Sequence, residues 1–313
     1  MAERPERGLR HRGRAGVVAE RGRGAVGGAI LVDHDQATGD GYFVTAYHVV
    51  ADWSRVEVRL AGGKPLPAQL AGFDLTKDLA VLRVPGARDE QVAWLTAGPL
   101  RADGTVTLLH DFGDGAEVQA AQARVGLFNA TEAATLPNLD SEYFATVSDL
   151  LTVTVPDQVP RAGDAVSAGP EGRESDVIGM VLAPAAVAEP SVYVLPAGAI
   201  LPVVSAVKAG QDSGTVRVGP AGDLGLELSW VSASRPKVTG VRPGGPADLA
   251  GIKAGDWLLS VGETSLGSSI YPEVGPEGVI RLLEPGTEVE VGWLAGGARE
   301  TSATLTVAAH EDE

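Results

Sequence analysis

Tyr42-Phe43-Val44-Thr45-Ala46-Tyr47-His48-Val49-Val50 and Leu75-Thr76-Lys77-Asp78-Leu79-Ala80-Val81-Leu82 decide the fold. Each joins an apolar, strand-like run to one polar, titratable residue. In the first a histidine ends the run; in the second an aspartate opens it. A histidine that takes a proton from a hydroxyl needs a carboxylate to hold its ring in the productive tautomer, and this pair supplies both groups. The third member would be a hydroxyl in a glycine-bearing turn. The turn is present as Gly163-Asp164-Ala165-Val166-Ser167, but its third residue is an alanine.

Outward from these stretches the pattern is one of strands. Residues 25–32 are small and apolar, 33–40 polar and turn-like, and 41–50 apolar with β-branched residues. Residues 56–60 alternate Val, Glu, Val, Arg, Leu, as a half-buried strand does. Gly62-Gly63-Lys64 is a hairpin signal, residues 67–72 return, and 79–84 form a short buried strand. Residues 105–110, 116–125, 143–155 and 177–181 predict a second set. Two successive units of short antiparallel strands predict two small six-stranded-type β-barrels. Residues 197–207 are apolar and Pro-interrupted, closing a domain that spans 25–209. The Gly-, Ser- and Asp-rich run 210–221 predicts a linker. A separate module covers 222–308, with a short acidic tail at 309–313. Within it, Gly244-Gly245-Pro246-Ala247-Asp248-Leu249-Ala250-Gly251 predicts a turn and short helix. Residues 276–283 predict a helix stopped by Glu284-Pro285-Gly286.

Composition narrows the chemistry. The chain has 313 residues, 41 glycines and 20 prolines, which suits a turn-rich β protein of more than one domain. A net charge of −16 argues against nucleic acid as a partner. With no cysteine there is no disulfide, thiolate nucleophile or thiolate metal site. The five histidines are scattered, so neither a metal cluster nor a cofactor is expected. No apolar run is long enough for a membrane helix, and the N-terminus has no secretory h-region. These features predict a cytoplasmic chain. Residues 1–24 hold seven arginines and three glutamates, and are expected to form a flexible basic arm.

Residues 25–84 resemble the first barrel of the trypsin-like HtrA (Deg) proteases. The likeness rests on Gly27-Gly28, the Thr-Ala-Tyr-His48-Val-Val strand end, the hairpin and Asp78-Leu-Ala-Val-Leu, with the thirty-residue interval from His48 to Asp78 typical of the family. Residues 222–308 resemble a PDZ domain, through Leu224-Gly225-Leu226-Glu227-Leu228 and Pro246-Ala-Asp-Leu-Ala-Gly-Ile-Lys-Ala-Gly-Asp256. Protease followed by PDZ is the HtrA order; residues 90–160 match only loosely. The resemblance implies a chymotrypsin-fold serine endopeptidase acting on protein or peptide substrates. His48 would be its general base, and Asp78 would orient that base. Backbone N–H groups of Gly163, Asp164 and residue 165 would form the oxyanion hole. It also implies that Leu224–Leu228 binds C-terminal or extended peptides. HtrA proteins assemble through an aromatic-containing N-terminal segment; residues 1–24 have no ring but His11, so a homo-oligomer has no support here.

Two registers compete for the nucleophile. In one, Gly163-Asp164 match the pair before the family serine, Asp157 matches a family aspartate eight residues earlier, and Ala165 holds the nucleophile position. In the other, Ser167-Ala168-Gly169-Pro170 match Ser-Gly-Gly-Pro and Ser167 is the nucleophile. Under the first, Ala165 is either a deliberate replacement of serine or a loss in the lineage. Val166, where glycine is usual, favours loss; the retained His48 and Asp78 favour replacement. Val155, Pro156, Val159 and Pro160 with the apolar run 179–183 suggest a primary pocket for small aliphatic side chains.

Overall fold

This computed structural model describes residues 14–19, 25–51, 55–60, 64–87, 92–95, 105–110, 119–126, 134–136, 145–147, 150–155, 160–168, 176–185, 190–213, 215–229, 235–266 and 274–310. The first sheet uses β1 (Arg14–Ala19), β2 (Ala25–His34), β3 (Gly41–Ala46), β4 (Val56–Leu60), β5 (Pro65–Asp74) and β6 (Leu79–Val84). They are ordered β5-β4-β1-β2-β3-β6, and β5 also pairs with β6, so six strands close into a ring. Its core includes Ile30, Leu31, Phe43, Val44, Val58 and Leu82, none of them exposed. The short helix α1 (Tyr47–Val50) follows β3 directly.

β1 corrects the expectation of a free arm over residues 1–24. Residues 14–19 lie in the middle of the sheet, with Val17 opposite Gly27 on β2 and Val58 on β4. The run Ala15-Gly16-Val17-Val18-Ala19 is short, small and β-branched, and the surrounding arginines mask it in a charge count. Closure needs it, because without β1 two sheet edges would be left unpaired.

The second sheet uses β7 (Trp94–Leu95), β8 (Thr105–His110), β9 (Gln119–Gly126), β12 (Leu151–Thr154), β13 (Ala165–Ala168), β14 (Asp176–Pro184) and β15 (Ser191–Pro196); β10 (Ala134–Leu136) and β11 (Ala145–Val147) form a separate pair. The order β13-β8-β9-β12-β15-β14 closes through a β13–β14 pairing, and β7 runs parallel beside β14. Val106, Leu108, Val153, Val155, Val166, Ile178, Val181, Val192 and Val194 fill this barrel. The expected strand over 143–155 is two strands, β11 and β12. Helix α2 (Ala197–Ala209) follows, with Pro202 inside it.

The run 210–221 holds a strand rather than only a linker. β16 (Val216–Val218) pairs with the 72–74 end of β5. Val216 and Ala221 are buried, so apolar residues within a Gly-rich run fix its path. The C-terminal module then takes β17 (Gly222–Asp223), β18 (Leu226–Ser229), β19 (Lys237–Val241), α3 (Pro246–Ala250), β20 (Trp257–Val261), β21 (Thr264–Ser265), α4 (Gly275–Arg281), β22 (Glu288–Ala295), β23 (Arg299–Thr306) and β24 (Ala308–Ala309). Its sheet runs β18-β19-β20-β22-β23, which leaves β18 at an edge, while β17 pairs with β24. Leu224, Leu228, Val238, Ile252, Leu258, Ile280, Val291, Trp293 and Leu305 form its core. α3 begins on Pro246 and ends at Gly251, whose φ of 85° is the left-handed cap glycine allows. The module reaches past 308, since Ala309 pairs with Gly222 and the His310 N–H donates to Ala221 O at 2.8 Å.

The described residues within 1–70, 79–132 and 149–205 form one compact unit. Those within 71–78, 133–148 and 206–313 form the other.

Candidate active site

His48 sits in the single turn of α1. Tyr47, Val49 and Val50 are buried there, and His48 alone is half-buried, so the turn holds itself in the core by three apolar side chains and offers the imidazole outward. β3 and β6 pair from Gly41↔Val84 to Ala46↔Leu79. Asp78 immediately precedes Leu79, and His48 follows Ala46 by two residues. The two candidate residues therefore extend from the same end of one strand pair. Asp78 is 1% exposed and has φ 48°, the only non-glycine residue with positive φ among the described residues. Its N–H donates to Leu75 O at 3.2 Å, closing the one-turn 3-10 helix Leu75–Lys77. Aspartate tolerates the left-handed region better than most side chains, so the turn and the carboxylate suit one another.

Gly27 and Gly28 of β2 bring two other segments together. A β-carbon at Gly27 would lie 2.6 Å from Val49 Cγ1, on α1, and 3.1 Å from Ala162 O. One at Gly28 would meet Asp164 N and Gly163 C at 2.6 Å each. The Gly28 N–H donates to Ala162 O at 2.7 Å. Thus Gly27 lies against both the helix bearing His48 and the segment leading to residue 165, and its neighbour Gly28 seats the turn. Thr45, three residues before His48, donates its hydroxyl to Gly28 O at 2.8 Å and has no exposed surface. Thr45→Val keeps the volume and removes that donor. It is expected to lower stability by about 1–3 kcal/mol, read as a lower urea midpoint with an unchanged slope.

The turn itself is tightly tied. Gly163 has φ 91°. Its N–H donates to Val181 O at 2.8 Å, the Asp164 N–H donates to Arg161 O at 3.1 Å, and Asp164 O accepts from Val181 N–H at 2.9 Å. Asp164, 4% exposed, accepts the Arg161 N–H on Oδ2 at 2.7 Å. Two of the three residues expected to form the oxyanion hole thus have their N–H groups bonded within the structure. The Gly163 and Asp164 N–H groups bond internal carbonyls because the turn is docked onto β14.

β13 begins at Ala165, which pairs with Leu109 on β8 and Met180 on β14. Val166 points into the barrel core. By strand alternation Ala165 and Ser167 share the opposite face, and both are buried, at 3% and 1% exposed. Ser167 lies opposite Thr107 and Val177, roughly 7 Å further along the strand from Ala165. A general base reaches about 3 Å to its hydroxyl, so the two positions cannot serve one imidazole in one pose. The residue next to the Gly28-docked turn is 165. Of the residues expected to shape the pocket, Pro156, Val159 and the family-matched Asp157 lie outside the described residues. Val155 and Val181 belong to the barrel core, and Met180 and Leu182 are fully buried.

In the C-terminal module, Gly225 has φ 70° and is buried, between buried Leu224 and half-buried Leu226. Glu227 is exposed and Leu228 is in the core. Asp223 Oδ1 accepts the Gly225 N–H at 2.6 Å, and Oδ2 lies 2.6 Å from Arg242 Nη1 and 3.8 Å from His310 Nδ1. Burial opposes the charge on Asp223. His310, the Gly225 N–H and Arg242 outweigh it and hold the carboxyl at about 2, below its ordinary 3.8. A folded-state value below the unfolded one gives stability that is complete above about pH 4 and lost as pH falls toward 2. Asp223→Asn is expected to remove that part of the acid sensitivity. Its melting temperature will then fall less steeply than the native protein's between pH 4 and pH 2.

Comparison with known proteins bears on both modules. A family model for the trypsin-like peptidase domain matches residues 27–178, and one for the PDZ domain matches residues 237–290. A Lactococcus lactis subsp. lactis (strain IL1403) protein, "Serine protease Do-like HtrA", is 27% identical over 279 residues, covering 76% of this chain and 61% of the relative. "Probable periplasmic serine endoprotease DegP-like" of Rhizobium meliloti (strain 1021) is 30% identical over 279 residues, covering 84% and 50%. "Periplasmic serine endoprotease DegP" of Escherichia coli (strain K12) is 27% identical over 288 residues, covering 85% and 56%. The chain thus spans between half and three-fifths of the length of these relatives. Among solved structures, "HtrA-type protease AlgW with decapeptide" matches with a TM-score of 0.50 and 18% identity over 97% of each chain, a likeness of fold. No helix among the described residues is long and apolar enough to cross a membrane.

Proposed function

We propose, from a trypsin-like peptidase domain match followed by a PDZ domain match, an HtrA-like serine-endopeptidase site for polypeptide substrates whose nucleophile position is 165. His48 serves as general base, Asp78 orients it, and the residue at 165 faces the substrate carbonyl. The observation that carries this reading is the shared seat on Gly27 and Gly28. The helix holding His48 and the turn ending at residue 165 are both packed there.

A hydroxyl at 165 would lose its proton to His48 Nε2 as it attacks the peptide carbonyl carbon. The resulting oxyanion needs N–H donors, and the leaving amine takes the proton back from His48. Alanine has no oxygen to form the acyl bond, so the chain as written binds a polypeptide without cutting it. A second reading, a peptide-binding scaffold on a protease fold, is favoured by the internally bonded Gly163 and Asp164 N–H groups and by Val166 in the core. A fluorophosphonate probe tests the site. The chain as written should take up no label and Ala165→Ser should be labelled; labelling of the unaltered chain that Ser167→Ala removes would sink the assignment to 165.

The PDZ domain is read as a binder of extended peptides, added as a strand along the β18 edge. Protein or peptide chains are therefore the partners at both domains. Two relatives carry "periplasmic" in their names, which makes a periplasmic location the alternative to the cytoplasmic one expected from the sequence.

A further inference from the structure

The loop before β18 holds a carboxylate that the chain itself supplies. Asp223 stands just ahead of Leu224-Gly225-Leu226, and its Oδ1 accepts the N–H of the central residue, Gly225, at 2.6 Å. Oδ2 pairs with Arg242 at 2.6 Å. The backbone around it is fixed on several sides. Asp223 pairs with Ala308 on β24, Leu224 O accepts the Ala247 N–H at 2.9 Å, and Gly225 O accepts the Arg242 N–H at 2.9 Å. Asp223 is 8% exposed and Leu224 is fully buried, so this arrangement is part of the domain core and not a surface contact.

A peptide arriving with a free C-terminal carboxylate would compete with Asp223 for the Gly225 N–H. It would also place a second negative charge beside a buried one whose cation is already engaged. Exposed Glu227, on β18, adds charge of the same sign along the edge. A chain segment that continues past the loop, or ends in a neutral amide, meets neither obstacle. The ladder along β18 requires only backbone groups, which any extended segment has.

We propose that Asp223 is a specificity determinant that makes this domain take internal or neutral-ended extended segments in preference to free C-terminal carboxylates. This rests on the reading of β18 as a peptide-binding edge. Discrimination here comes from an element that penalises the wrong ligand, since an occupied donor and a like charge both act against the carboxylate.

The test uses the full chain and two dye-labelled apolar decapeptides of one sequence, ending in a carboxylate or in an amide, with binding read by fluorescence anisotropy. The amide should bind about fivefold or more tightly than the acid. Asp223→Ala frees the Gly225 N–H and removes the like charge, and should tighten the acid about tenfold and reverse the preference. Asp223→Asn keeps an acceptor on Gly225 without the charge, and should bring the two peptides close to level; it also guards against an alanine variant that fails to fold, checked by its thermal melt. A native preference for the acid, or a ratio untouched by both folded variants, overturns the proposal. If neither peptide binds any of the three proteins, the peptide-binding reading falls, and the proposal with it.

Discussion

Ala165→Ser will convert a chain that leaves an unfolded protein substrate intact into one that cleaves it, with a rate at least about a thousandfold above background. The expectation follows from what is already in place. Asp78 and His48 leave the same end of the β3–β6 pair, and the turn before 165 shares its seat on Gly27–Gly28 with the helix that holds His48. Alanine at 165 supplies no nucleophilic oxygen. Adding His48→Ala to Ala165→Ser should return cleavage to background, because the serine would lose its base. The bonded N–H groups of Gly163 and Asp164 set a limit on the gain, since each oxyanion donor lost costs about 10²–10³ in rate. Val166→Gly, added to Ala165→Ser, loosens β13 where it leaves the turn and should raise the rate further. No cleavage by either folded serine variant would leave the scaffold reading standing.

Gly163→Ala will produce the largest loss of stability of any single methyl addition in the turn. Gly163 has φ 91°, where an L side chain is strained, and its β-carbon would overlap Gly28 O and lie 2.9 Å from Thr45 Oγ1. Backbone strain of about 1–2 kcal/mol and overpacking of about 1–3 kcal/mol both apply, giving about 2–5 kcal/mol together. In a domain of this size that lowers the melting temperature by on the order of 10 °C. Gly86→Ala is the matched comparison. Gly86 has φ 80° but nothing within 4 Å of the added carbon, so only the strain, about 1–2 kcal/mol, is expected. Equal losses at the two sites, measured by thermal unfolding, would show that the Gly28 contact does not constrain the turn.

The sequence by itself determined the two modules and the positions of His48 and Asp78. Period-two apolar patterns, glycine turns and strand-end polar residues are local signals, and local signals survive in a one-dimensional string. It also located the Gly163 turn and the Leu224–Leu228 loop. It left positions 165 and 167 open, because both serine registers satisfy the same short motif; the proposal of 165 draws on strand pairing and on packing against Gly28, contacts that join residues more than a hundred positions apart. The same reason hid β1, whose six residues count as a strand only because β2 and β4 lie on either side. Whether a backbone N–H is open to a ligand is likewise a tertiary matter. Gly163 bonds Val181 and Gly225 bonds Asp223, and each bond removes a donor that the glycine motif alone promised.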